Sequence, residues 1–420
     1  MKLRGCLLLV ALLLVASLWL GGCGTSGSAP DRAAAGSRPA VATRSATAEQ
    51  LARDRWSLVP AAPIPPRESA SVIWTGRELV VWGGASASDQ DLRDDGATYD
   101  PDTRRWRILP PAPISARFGQ ATVWTGTEMI VWGGYDSVSR DRFKVSDDGA
   151  AYNPSTNSWT LLPQAPLSGR SYAIPVWTGS RLFILGGQPA VTTNDVKGYR
   201  DGAVYDPADN RWRHLVAPTP PHGHPLSWRA AVQADGELLA WSEWASSRRL
   251  GPGSFTGGVD LFGYDESTER WRLIPGTPGL PDVEEAVWTG DSVVVRGSTY
   301  NCGDCPGPFV PEATDLYHPG NNTWTRLPAD PLGGDDLLSA WTGAALFSFN
   351  AAGIYGSIGP GAASAYDPAT KRWTRLRRAP TGCDTEQPPI WTGRELLMYC
   401  ARSGRGARVS SGLALTPGRA

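Results

Sequence analysis

Arg67, Arg117 and Arg170 each stand seven residues ahead of a tryptophan that opens a Trp-Thr-Gly triplet, and Arg229 precedes a degenerate fourth copy. The corresponding stretches further along carry carboxylates instead: Asp282, Glu284 and Glu285, then Asp335 and Asp336, then Asp384 and Glu386. A guanidinium is a planar fork of N–H donors, so several converging on one place could grip a carboxylate or sulfate by paired, charge-assisted hydrogen bonds. The expectation is a ligand site built from Arg67, Arg117, Arg170 and Arg229, facing an acidic wall, with Trp228 beside it as a stacking surface. A rival reading stands next to this one. Each arginine could pair with acidic groups close by (Asp94/Asp95, Asp147/Asp148, Asp201) and only fasten the structure, while Trp228 packs in a core.

Other chemistry is sparse. His222-Gly223-His224 and Glu243 together offer three metal-ligating groups. The flanking Pro221 and Pro225 indicate a loop with solvated imidazoles, and the ligand count is short, so neither a metal nor a cofactor is expected. No glycine-rich phosphate loop, dinucleotide fingerprint or zinc-protease motif occurs. The chain carries 40 basic and 41 acidic residues, for a net charge of −1. That balance argues against nucleic acid as a partner.

The elements that must position these residues come from a repeat. Trp-Thr-Gly triplets begin at Trp74, Trp124, Trp177, Trp288, Trp341 and Trp391, with a degenerate copy at Gln233-Ala234-Asp235. All but the last are followed by a tyrosine, often in Tyr-Asp-Pro, and then by a tryptophan seven residues on: 99/106, 152/159, 205/212, 264/271, 317/324 and 366/373. Periods of 50 to 56 residues match a four-stranded propeller blade. In the first unit, Ser69–Trp74, Glu78–Trp82, Ala97–Tyr99 and Trp106–Leu109 read as the four strands, followed by a proline-rich crossing. The seven-residue spacing sets Tyr and Trp face to face across the outer hairpin. An orphan fourth strand, Trp56–Pro60, precedes the first unit, and Gly412–Pro417 ends the chain at a third strand. The expected fold is all-β, a seven-bladed β-propeller whose last blade is closed by the N-terminal strand, which removes the two open sheet edges that a linear array would expose.

With Gly-Gly pairs at 83/84, 133/134 and 186/187, the Tyr-Asp-Pro turns and the later tryptophans, residues from about Arg53 to Pro417 resemble the Kelch-repeat β-propellers of the galactose-oxidase-like superfamily. The later blades depart from that pattern, with Trp241-Ser242, Arg296-Gly297, Phe349-Asn350 and Tyr399-Cys400 in place of Gly-Gly. The resemblance implies a fold that hosts enzymes, scaffolds and receptors alike. Galactose oxidase uses copper held by two His and two Tyr, one cross-linked to Cys; with four His and no Cys in the first four blades, that set is not found. Loops after the second strand lengthen from 17 residues (Trp82 to Tyr99) to 23 (Trp241 to Tyr264), which marks their face as the binding face. The expected function is a recognition module for a glycan, a peptide or an envelope protein, acting as a monomer, with no catalytic residue assigned. The alternatives are a carbohydrate-active enzyme of the sialic-acid mutarotase type, which resembles Kelch propellers, and a structural envelope protein.

Ahead of the repeat, Met1-Lys2-Leu3-Arg4, the apolar run Cys6–Leu20 and Leu20-Gly21-Gly22-Cys23 resemble a bacterial lipoprotein signal peptide (1–22), with Cys23 as the lipidation site. Residues 23–52, rich in Ala, Ser and Gly, read as a flexible tether, and 53–420 as the propeller. The expected location is the extracytoplasmic side of a membrane, reached through a lipid anchor. In that oxidising compartment Cys302–Cys305 and Cys383–Cys400 are expected to form disulfides.

Overall fold

A computed structural model describes residues 44–86, 91–139, 142–190, 198–221, 223–251, 254–277, 283–297, 313–333, 337–351, 361–381, 383–385, 387–400, 402–403 and 411–418. Among them, strands form seven four-stranded antiparallel sheets and two two-stranded ladders. Blade one runs Ser71–Trp74, Leu79–Trp82, Gly96–Asp100 and Arg105–Ile108 in simple meander order. Blade seven is assembled from Ile390–Trp391, Leu396–Cys400 and Ser411–Thr416, with Arg55–Val59 as its outer strand. Trp56 pairs with Leu415 there, so the N-terminal strand closes the ring as the repeat phase predicts. No helix among the described residues is long and apolar enough to cross a membrane.

The repeat motifs have local physical causes. In each Trp-Thr-Gly turn the threonine hydroxyl accepts the amide of a residue three on (Glu78 N–H to Thr75 Oγ1, 2.9 Å), and the glycine takes a positive φ, +88° at Gly76. The Tyr/Trp pairs sit directly opposite each other, with ring centroids 4.7 to 5.3 Å apart. The outer tryptophan does more than pack. Its indole N–H donates across the seam to a crossing carbonyl on the preceding blade: Trp106 to Pro60, Trp159 to Pro110, Trp212 to Pro163, Trp271 to Val216 and Trp373 to Pro328.

Among the described residues the core lies mainly between blades, in seven apolar clusters that each draw side chains from two neighbouring sheets, beside a small eighth of Leu332, Leu337 and Ala362. First strands lie against first strands around the ring (Ser71–Trp74 on Ala121–Trp124, and that strand on Ile174–Trp177), so they line the centre. The seam between blades five and six is unlike the rest. Among the described residues its cluster holds four buried residues, Val294, Leu327, Leu346 and Tyr366, against nine between blades one and two. Arg296 stands where blades one and two carry Trp82 and Trp132. It is buried, donating to Ser348 Oγ (2.8 Å) and lying 3.7 Å from Asp330 Oδ2 across the seam. Asp330 also accepts from Ser364 Oγ at 2.8 Å.

Residues 44–52, assigned by composition to a flexible tether, form a packed strap. Thr47 and Gln50 close a capping box on the helix Ala48–Ala52. Ala46 exchanges hydrogen bonds with Thr342 of blade six, Trp391 Nε1 donates to Arg44 O at 3.0 Å, and Leu51 is wholly buried against blades six and seven. The strap is small and polar in composition, yet its backbone and three apolar side chains are used. Asp54, at its end, is buried with neither carboxylate oxygen hydrogen-bonded. Burial pushes its pKa up to about 6, with Arg377 partly offsetting the rise. Cys383 and Cys400 form the expected disulfide, with Cα atoms 5.0 Å apart.

Candidate recognition site

The face carrying the Gly-Gly pairs begins each first strand and ends each second strand. Strand geometry places the arginines there, but not as ligands. Arg67, Arg117 and Arg170 are 1 %, 0 % and 0 % exposed. In each, Nε donates to the carbonyl two residues back (Pro65, Ser115, Ser168), and Nη1 donates to the first glycine's carbonyl of its own blade (Gly83, Gly133, Gly186). The charge is met by Asp95, Asp148 and Asp201 at 2.8, 2.7 and 2.8 Å. Arg170 also lies 4.1 Å over the Tyr199 ring. The next blade then locks on: Gly84 N–H donates to Arg117 O (2.7 Å), and Gly134 N–H to Arg170 O (2.8 Å). A Cβ at Gly84 would fall 2.7 Å from Glu68 O of its own blade, and one at Gly83 3.0 Å from Arg117 O of the next, so the pair suits glycine. This geometry is that of a fastener repeated in blades one to three, and it replaces the expected anion site, because a guanidinium buried among carbonyls and a carboxylate cannot present its fork to a ligand.

The remaining predicted residues do not converge either. Arg229 is exposed and donates through both Nε and Nη2 to Glu243 Oε2 on the adjoining strand. Trp228 is core: its ring stacks on Trp271 (5.4 Å), meets Phe262 edge-on, and its Nε1 donates to Arg200 O. The expected stacking surface is thus a seam residue between blades three and four. Glu285 Oε1 accepts Ser339 N–H of blade six, Glu284 is exposed, and Asp384 lies in a short ladder with Arg402. Asp335, Asp336, Glu386, Cys302, Cys305 and Cys23 lie outside the described residues. His224 stacks on Trp244 at 5.6 Å, and Glu243 is committed to Arg229.

What the face does present is projecting hairpins and aromatic rings. Blade two adds a ladder of Tyr135–Ser139 with Arg142–Val145, and blade four extends its middle strands to Glu237–Gly251 and Ser254–Asp265. The turns of the opposite face are uniform. Phe118 stacks on Tyr135 (5.0 Å, 28°), and Tyr172 stands steeply to both, at 75° and 68°. Tyr172 is 50 % exposed and has φ +49°. Its position, two after the arginine, is left-handed in blades one and two as well, where Ser69 and Gly119 occupy it. In the aligned repeats, Tyr172 stands at a turn position that blades one and two fill with the small residues Ser69 and Gly119.

Known proteins agree with the architecture. The sequence profile of the KLHDC2/KLHL20/DRC7 Kelch-repeats domain matches residues 38–240. Kelch-like protein terF of Aspergillus terreus is 28% identical over 137 residues, 31% of this chain and 28% of that protein. The chain therefore spans well under a third of that relative's length. The solved structure of YjhT superposes with a TM-score of 0.52 at 16% identity, covering 76% of this chain and 99% of that one, a likeness of fold. The profile match, the repeat and the ring of seven four-stranded blades together support a Kelch-repeat domain in this chain.

Proposed function

We propose that this protein is a surface recognition module whose variable-loop face binds a glycan, peptide or protein partner, held to the outer side of a membrane by a lipid on Cys23. One observation carries the first part. Seven blades of near-identical turns on one face are joined, on the other, to extensions that differ from blade to blade, including the hairpins of blades two and four. Variation confined to one face of a rigid ring is where selection for binding acts without cost to the core. The anchor rests on the lipobox-like Leu20–Cys23, and the Cys383–Cys400 disulfide is in keeping with an oxidising compartment.

Glycan and peptide arrays probed with the full chain in detergent test the face. Substitutions on it (Trp244→Ala, His224→Ala) are expected to abolish or redirect the signal, and Arg77→Ala on the turn face to leave it alone. Signals indifferent to the first pair and lost with the second would place recognition elsewhere. Cys23→Ala is expected to release the protein from the membrane fraction; unchanged fractionation and mass would remove the anchor from the proposal.

A further inference from the structure

The strap shows what the turn face can hold. Six first strands end on that face in a tryptophan, at Trp74, Trp124, Trp177, Trp288, Trp341 and Trp391. At Trp391 the indole N–H donates to Arg44 O of the strap at 3.0 Å. Two residues on, Ala46 N–H donates to Thr342 O at 3.0 Å and Ala46 O accepts from the Thr342 hydroxyl at 2.5 Å, beside a parallel bridge from Ala46 to Gly343. One extended stretch of chain thus bonds to two blades, through the indole of blade seven and the Thr-Gly turn of blade six. All three bonds go to the main chain of the strap, so they ask for an extended backbone and not for a particular side chain.

Blades one to three repeat these partners in the same order, Thr75 with Trp124 and then Thr125 with Trp177. The strap does not cover them. A Cβ built on Gly343 would fall 2.9 Å from Ser45 Cβ, whereas one built on Gly76 or Gly126 meets nothing within 4 Å. Thr342 is wholly buried, while Thr75 and Thr125 are half-buried. The Trp124 and Trp177 indole N–H groups have no acceptor among the described residues, yet neither is closed off from solvent. No backbone N–H among the described residues donates to Thr75 O or Thr125 O. Elsewhere the run is broken: blade four has Gln233-Ala234-Asp235 in place of the triplet, and Gly393 of blade seven is buried. The charged side chains of the three turns, Arg77, Glu78, Glu128 and Arg181, are of both signs, and three of them are drawn to Asp100, Arg107 and Asp206. Charge therefore selects neither an acidic nor a basic partner here. Size does select, because Ser45 crosses so close to Gly343 that a chain seated in this way carries small residues at the crossing.

We infer that the turn face of blades one to three is a docking surface for an extended, small-residue segment of a partner protein. Trp124 and Trp177 donate to its carbonyls, and the Thr75 and Thr125 turns pair with its main chain. This is a second surface, separate from the variable-loop face and independent of what binds there.

The test titrates the full chain in detergent, labelled with 15N at tryptophan, with the capped peptide Ala-Thr-Arg-Ser-Ala-Thr, the sequence of residues 42–47. The indole N–H signals of Trp124 and Trp177, assigned through Trp124→Phe and Trp177→Phe, are expected to move downfield. The double variant keeps a ring in each seam and lacks both donors, so the peptide should bind about tenfold more weakly, the loss of two hydrogen bonds. An unchanged thermal midpoint shows that the seams still pack. On the parent protein, N-methylation of the peptide at the alanine that stands for Ala46 should weaken binding by about threefold or more. Stationary signals from both indoles, equal binding of the methylated peptide, or full affinity in the double variant overturns the assignment. A peptide that moves only Trp391 is exchanging with the strap and overturns it too. Indoles that shift with protein concentration alone mark a contact between copies and do the same. Each of these failures leaves the reading of the variable-loop face where it stands.

Discussion

At the scale of the residue, the same side-chain type does opposite work depending on what surrounds it. Arg67, Arg117 and Arg170 were legible as a set from their spacing, yet spacing cannot say whether a guanidinium points at solvent or at carbonyls two and sixteen residues away. Burial of the chain around each decides it. Asp54 is the reverse case, a buried carboxylate whose oxygens found no donor. Its folded pKa, about 6, lies above the ordinary 3.8, so the folded state holds a proton that the unfolded chain has released. Stability should therefore fall as pH rises from about 4 to about 6, and stay lower above that. Asp54→Asn should be more stable than the parent at pH 8 by on the order of 2 kcal/mol, with the advantage gone at pH 4. Urea midpoints across that range check it, and a difference independent of pH would show that the carboxylate is not the cause.

Among the elements, the outer hairpins were readable because a seven-residue spacing has one sensible antiparallel register, and the Tyr/Trp pairs occupy it in six blades. The strap carries its signal in its pattern and not in its composition. Thr47-x-x-Gln50 is a capping-box signature, and Ala48 and Leu51 are spaced for one helical face. The practical meaning is that a fragment begun at Arg53 lacks part of the core. Leu51→Ala should cost about 2–5 kcal/mol, the range for emptying a buried leucine site. Thermal or denaturant unfolding measures this; a neutral result would return the segment to the status of a linker. The projecting hairpins of blades two and four were visible only as extra length, since loop residues carry no periodicity that specifies their pairing.

For the whole molecule, blade count and closure followed from arithmetic on the repeat: an unpaired fourth strand at the start and an unpaired third strand at the end can only complete each other. The proposed recognition face was not legible in that way, because every blade contributes to it and no single stretch of chain contains it. What the repeat hid most thoroughly is that its seven seams are unequal.

The polar seam between blades five and six bears on how the ring breathes. Arg296, Asp330 and Ser348 stand where the other seams bury indoles and aliphatic chains, and a buried ion pair returns little net free energy for the water it gives up. Local opening draws on the least apolar contact available, so amide hydrogens next to this seam should exchange with solvent sooner than their counterparts. In native-state exchange, the central strand Leu346–Asn350 is expected to lose protection before Leu79–Trp82 and Met129–Trp132; equal protection would mean that the seams are energetically alike despite their chemistry. A ring closed by its own N-terminal strand would then have one preferred place to come undone, far along the chain from that strand.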